Sequence, residues 1–310
     1  MSEVKSEPVA VAEETNNPVT PNEKLSHNST AIGTTVDPNL LDSLETPHHI
    51  QQVVREAILL AGGAAAILLQ IANPGVAKGV DEHSNFAYRP LDRLRTTMTF
   101  IYCMAFGSRD EKKTVIEMVH RAHAPVNGPG YNANDPTLQL WVAATLYAVG
   151  TDLYQQVFGP MNEETAEQLY REYAILAVSL RVLPEMWPPS RKAFWEYWDY
   201  QIANLEISQH AKNVASDLLY SKHAPFRVRV VLPLVRVTTT EMLPVRLREA
   251  YGLRSTAIRR GVNRVTVEVT KATYPFLPKF IRTYPMQYYL KDMRRRIKKR
   301  QKLEIDMSEK

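Results

Sequence analysis

From residue 50 onward, apolar residues recur at intervals of three and four, the period of helices buried along one face. Alternating apolar and polar runs between paired turn signals are scarce, and 12 glycines are few for a β fold. The pattern predicts an all-α fold with one compact helical domain. Several boundaries can be read locally. Asp135-Pro136 sets an N-cap residue before a proline at the first helical position, and Leu138, Trp141, Thr145 and Val149 follow at helical spacing. Asn73-Pro74 interrupts an apolar helix, Arg89-Pro90 precedes a helix reaching about Phe106, and Gly107 is its stop. Pro184, Pro188 and Pro189 isolate a linker before the aromatic cluster Phe194, Trp195, Tyr197 and Trp198. Phe226–Val235 is rich in valine and arginine and could form a short strand, but its prolines and isolation favour helix or loop.

The longest apolar run, Ala57–Leu69, has 13 residues, against about 20 for a spanning helix, so it reads as a buried core helix. Residues 1–46 hold four prolines among Ser, Thr, Asn and Glu, and no aromatic residue. Such a stretch buries too little apolar surface to offset its ordering entropy and is expected to be disordered. It lacks the apolar core of a signal peptide, and the acceptor pattern Asn28-Ser29-Thr30 carries little weight without one. The expected organisation is a disordered segment over 1–46, a helical domain over 47–290 and a basic tail over 291–310.

The chain has 310 residues, 45% of them hydrophobic, enough for a sizeable core, and its one cysteine, Cys103, excludes an internal disulfide. Net charge is +5, and much of the excess sits in Arg294, Arg295, Arg296, Lys298, Lys299, Arg300 and Lys302. The charge thus describes a tail, not a nucleic-acid-binding surface spread over the fold. That tail, with Tyr284, Tyr288, Tyr289 and Leu290 before it, reads as a solvated helix end, or as a peripheral contact with an anionic membrane, or as a nuclear-localisation signal.

Two helices carry candidate chemistry. On the first, Arg93, Thr97, Phe100, Ile101 and Met104 share a face. An arginine on an apolar face needs an anion, either a structural carboxylate or a bound one. On the second, Val115, Ile116, Val119 and Ala122 define the apolar face; His123 lies about 40° from its centre and His120 about 100°. His123 therefore points inward, as a satisfied core histidine or as an axial haem ligand would, and His120 sits at the rim. Glu117-x-x-His120 has the spacing of helical di-iron sites, so a non-haem site from Glu117, His120, His123, Glu206 and His210 is a further alternative. No Gly-rich phosphate loop, Gly-x-Ser-x-Gly elbow or zinc-type cysteine pair is present, and Cys103 reads as packing.

The stretches GGAAAILLQIANPGVAKGV (62–80), DEHSNF (81–86), RLRTT (93–97), HAPVNG (123–128) and YNANDPTLQLWVAATL (131–146), in this order, resemble the family that joins rubber oxygenase (latex-clearing protein) to the oxygenase of mycophenolic acid biosynthesis. The resemblance spans roughly 50–290. It implies an all-helical domain with a cofactor pocket between core helices, haem b held by a proximal histidine, and dioxygen used on isoprenoid double bonds. By position, His123 corresponds to the proximal ligand, and Arg93 and Thr97 to the Arg and Thr of an Arg-x-x-x-Thr motif across the haem. There are three departures: Thr96 stands where rubber oxygenases carry lysine, Ala143 where many relatives carry histidine, and the N-terminal membrane anchor of the mycophenolic-acid-type member has no counterpart.

The expected function is a haem-dependent oxygenase, an oxidoreductase of secondary metabolism acting on a small apolar substrate of terpenoid or polyketide type. His123 would be its metal ligand, Arg93 and Thr97 its catalytic and cofactor-binding residues, and the Ala57–Leu69 helix, Phe100 and Met104 its substrate walls. The alternatives are a cofactor-independent cyclase or isomerase and a non-catalytic haem or lipid carrier on the same fold. The chain is expected to be intracellular and cytoplasmic, with no nucleic-acid partner; oligomeric state is unreadable.

Overall fold

The computed structural model describes residues 47–83, 90–221 and 225–308. The expected disorder over 1–46, the Asn28 pattern, Arg89 and part of the 81–86 motif lie outside the described residues. Among those residues the chain forms helices and one two-residue antiparallel pair, Asn127–Gly128 with Tyr131–Asn132. The helices are α1 (His49–Val54), α2 (Gly63–Gln70), α3 (Pro74–His83), α4 (Pro90–Phe106), α5 (Arg109–His123), α6 (Pro136–Phe158), α7 (Glu163–Val178), α8 (Arg191–Asn204), α9 (Gln209–Leu219), α10 (Phe226–Met242), α11 (Val245–Ala250), α12 (Ala257–Thr273), α13 (Lys279–Arg282) and α14 (Tyr284–Ser308).

The 23-residue α6 is the spine. Its buried residues, among them Leu140, Trp141, Ala144, Tyr147, Ala148 and Leu153, fall on several sides rather than on one stripe, so it must be jacketed all round. Helices α7, α2, α12 and α1 pack against it. Its polar groups are satisfied internally: Trp141 Nε1 donates to Leu69 O at 2.8 Å, and the Thr145 and Thr151 hydroxyls donate to Val142 O and Tyr147 O, each at 2.7 Å. The predicted aromatic cluster fills the space beside it, with Trp198 stacked on Trp141 and Phe194 edge-on to Tyr147.

The local start and stop signals are met. Asp135 accepts from Thr137 N, and Asn73 Oδ1 accepts from Gly75 N where the chain bends by 108° between the preceding apolar stretch and α3. Gly107 closes α4 against its own backbone: a Cβ there would stand 2.6 Å from Cys103 O. Ser108 and Glu111 form a reciprocal capping box on α5. Phe226–Val235 is helical, as the first part of α10, and contains Pro233.

Ala57–Leu69 is not one continuous α-helix. It begins as a 3-10 segment, Ala57–Gly62, and becomes α-helical at Gly63. The 3-10 segment packs on α6 so closely that a Cβ on Gly62 would meet Val149 at 2.7 Å. Among the described residues, no single helix is long and apolar enough to cross a membrane. Cys103 is buried, and burial raises its thiol to about 12, which suits a packing role.

The two ends of the described domain are tied by one buried carboxylate. Glu56, 2% exposed, accepts from Arg282 Nη1 at 3.0 Å and from the Tyr274 hydroxyl at 3.2 Å. That hydroxyl in turn accepts from Ile58 N at 3.0 Å. Helix α14 folds back on α4, and its Arg294 makes a bidentate pair with Glu111, the capping-box residue of α5, at 2.7 and 3.2 Å. Two residues of the basic run are therefore engaged within the fold, since Arg296 also donates to Thr99 Oγ1 at 3.3 Å. Glu56→Ala would leave Arg282 and Tyr274 without their shared acceptor. It is expected to cost about 2–3 kcal/mol, read as a lowered midpoint of urea unfolding, whereas Arg295→Ala in the exposed part of the run is expected to change stability by less than about 0.5 kcal/mol.

Candidate functional site

The hairpin and four helix segments enclose one cavity of about 410 Å³. Helix α3 supplies Gly75, Val76, Gly79, Val80 and His83; α4 supplies Arg93, Thr96, Thr97 and Phe100. Helix α5 supplies Val119, Ala122 and His123, and α6 supplies Leu138, Gln139, Val142 and Leu146. Arg93, Thr97 and His123, singled out from the sequence, thus border the same space. Two expected walls are corrected. Met104 is fully buried in the core and does not line the cavity, and of the Ala57–Leu69 stretch no residue lines it, only the adjoining Gln70.

His123 is held neutral. Burial is the largest cause, and the positive charges of Arg93, His120 and Arg181 add to it, so its pKa falls to about 4. Gln139 fixes the ring. Its Nε2 donates to Ala133 O and stands 3.0 Å from His123 Nδ1, so Nδ1 accepts and the ring proton lies on Nε2. Offering Nε2 to a metal requires the other tautomer, with the Gln139 amide turned so that Oε1 accepts from Nδ1–H. Burial also lowers the Arg93 guanidinium below its usual value, although a guanidinium keeps its charge even so.

Three features escaped sequence reasoning. Arg181 follows the cavity-lining Leu180 and has φ +71, the left-handed region unusual for a residue with a side chain. Its Nε is buried without a hydrogen-bond partner among the described residues. At the cavity rim, His83 Nε2 and the Tyr131 hydroxyl are 2.7 Å apart, and that hydroxyl donates to Glu82 Oε2 at 2.6 Å. The Glu82 bond raises Tyr131 to about 12 and keeps its proton in place. Gln139 was also missed. The heptad-like spacing of α6 gives no sign that a polar residue there meets a histidine on another helix.

The non-haem alternative does not assemble. His120 bonds Ser179 O at 3.1 Å, and His210 bonds Asp81 at 2.6 Å. Among the described residues no three His, Cys, Asp or Glu side chains converge to hold an ion. Glu117, His120, His123, Glu206 and His210 therefore do not gather into one ligand set among the described residues. Thr96, at the position of the rubber-oxygenase lysine, lines the cavity but donates to Arg93 O in its own helix at 2.9 Å.

Whether a haem would suit this cavity can be judged from its walls. Nine Val, Leu and Phe side chains face it: Val76, Val80, Phe100, Val119, Val126, Leu138, Val142, Leu146 and Leu180. Gly75 and Gly79, one turn apart, keep it open: side chains there would meet Leu138 at 3.1 Å and Tyr131 at 3.3 Å. One neutral imidazole, His123, and one guanidinium-bearing residue, Arg93, complete the lining, and Arg181 adjoins it after Leu180. This donor set fits an apolar macrocycle with an iron centre and carboxylate arms.

The family model for "ER-bound oxygenase mpaB/B'/Rubber oxygenase, catalytic domain" matches residues 50–272. Proteins described as uncharacterised from Mycobacterium tuberculosis and Mycobacterium bovis are each 32% identical to the chain, over 74% of it and 94% of their own length. No solved structure matches it. The chain belongs to the family of ER-bound mpaB-type oxygenases and rubber oxygenases, and what it contains is that family's oxygenase catalytic domain.

Proposed function

We propose that the protein is a haem-dependent oxygenase acting on a small apolar substrate, of terpenoid or polyketide type, at a C=C bond. The observation that carries this reading is His123: a neutral imidazole at the wall of an apolar cavity that it shares with an arginine of another helix. His123 would hold haem b through Nε2, with Gln139 as the partner of its other nitrogen. A bound haem would supply dioxygen activation, which no side chain here can perform.

The chain's own residues do the rest. Burial keeps His123 unprotonated, and hence able to donate its lone pair, well below neutral pH. Arg93, with Arg181 beside the cavity, would hold the carboxylate arms of a haem by charge, and Thr97 would add a hydroxyl one turn from Arg93. Val76, Phe100, Val142 and Leu146 exclude water and hold an apolar substrate by contact area. Thr96 bonds its own helix and, among the described residues, no lysine lines this cavity, which argues for a small substrate and not a polymer.

Purified protein reconstituted with haemin should show a strong Soret band and about one iron per chain. His123→Ala should lose the haem while its far-ultraviolet circular dichroism stays helical. Arg93→Ala should weaken haem retention by roughly tenfold without abolishing it, as loss of one charge-assisted contact would. A colourless, folded protein that turns over an alkene would instead favour the cofactor-independent cyclase or isomerase. A haem-loaded protein that consumes no oxygen with any alkene would favour the carrier.

The sign of the pH effect follows from the histidine. His123 has a pKa of about 4 when folded and about 6.5 when unfolded, so the unfolded chain takes up the proton first as pH falls. Its contribution is fully present above about 6.5 and is lost as pH drops towards 4. In haem-free protein, urea unfolding at pH 7 and pH 4.5 should show a smaller acid loss for His123→Phe than for the wild type. Equal losses would mean that the ring is not desolvated.

A further inference from the structure

Helix α12 is built inside out. Its apolar residues Ile258, Val262, Val265 and Val269 follow at intervals of four, three and four, one face of a helix, and all are exposed. Toward the protein it turns Arg259, Asn263, Thr266, Val267 and Thr270, which are only half-buried. The Thr266 and Thr270 hydroxyls bond their own helix, to Val262 O and Thr266 O. A helix on a water-exposed surface buries its aliphatic stripe and shows its polar one; here the order is reversed.

The neighbouring elements continue the feature. Helix α10, which packs on α12, exposes Phe226, Val230, Val231 and Leu234. The chain leaving α12 exposes Phe276, Leu277, Phe280, Ile281 and Tyr284. Phe276 is 84% exposed, Ile258 80% and Phe226 78%, which is far beyond the scattered exposure normal for single apolar residues.

The charge around this face has one sign. Residues 226–282 contain twelve Arg or Lys and three Glu, a net +9, so with +5 for the whole chain the remainder is net acidic. Arg227 and Arg229 are exposed beside Phe226 and Val230 at the start of α10, and Lys279 is exposed beside Phe280; Arg260, Arg264 and Lys271 are exposed too, on a side of α12 about 150° from its apolar stripe. Exposed apolar side chains rimmed by Arg and Lys match an anionic lipid surface: the apolar groups enter the acyl boundary and the cations meet the headgroups. A second copy of the chain fits less well, because it would bring two such positive faces together.

We propose that the outward face of α10, α12 and α13 docks the protein on an anionic phospholipid bilayer, as a peripheral anchor that does not cross it. This surface is distinct from the basic run of α14, and the proposal stands independently of the haem reading.

The test is co-sedimentation of the full chain with phosphatidylcholine vesicles with and without phosphatidylserine. The wild type should bind the phosphatidylserine vesicles and release as salt is raised. A variant carrying Ile258→Gln, Val265→Gln, Phe276→Gln and Phe280→Gln changes only exposed side chains and should bind at least about tenfold more weakly. Its circular dichroism should be unchanged. A second variant, Arg295→Gln with Lys298→Gln and Lys299→Gln, should bind nearly as well as the wild type. The proposal is overturned if the wild type does not bind these vesicles, or if the fourfold glutamine variant binds equally. A wild-type dimer that the glutamine variant turns into a monomer, with no vesicle binding by either, assigns the face to self-association and also overturns it.

Discussion

Burial of α6 on nearly every side is the constraint from which the rest follows. A helix with Leu140, Trp141, Ala144, Tyr147, Ala148 and Leu153 inside needs neighbours around its whole circumference, and the other helices are arranged to provide them. Small residues decide how close they come, as where Gly62 lets the 3-10 segment lie against Val149. The first turns of the same helix are not jacketed in the same way. There Leu138, Gln139, Val142 and Leu146 look into the cavity, so one rigid element is core along most of its length and site at its beginning. A pocket wall on such a helix is preorganised, because moving it would disturb the whole core.

The electrostatics of the site follow from that apolar setting. Withdrawal from water favours the neutral form of His123, and two nearby guanidinium groups push the same way. The same surroundings make a cation such as Arg93 costly unless an anion meets it. Gln139 adds a condition of its own, because its amide decides which ring nitrogen of His123 carries the proton.

What could be read in the sequence was what local rules govern. Asp135-Pro136, Asn73-Pro74 and Gly107 mark helix ends because capping is settled within a few residues. Arg93, Thr97 and His123 were legible as inward residues because helical periodicity alone sets a face. Which inward residues meet a cavity and which meet other side chains depends on helices far apart in sequence. Hence Phe100 is a wall and Met104, one turn later, is core. Arg181 and the His83–Tyr131–Glu82 chain had no local signal, since a left-handed arginine and a contact across some fifty residues leave no periodic trace. The basic run drew attention to the C-terminus, while a second excess of positive charge, over 226–282, was balanced in the total by acidic residues elsewhere.

The central claim is that His123 is the protein's bond to a haem iron, and a cavity variant tests it most directly. His123→Gly removes the ring and leaves room for free imidazole. The account predicts that this variant binds haem poorly by itself, and that added imidazole restores the wild-type absorption spectrum and iron content. A wild-type spectrum in His123→Gly without imidazole would contradict it.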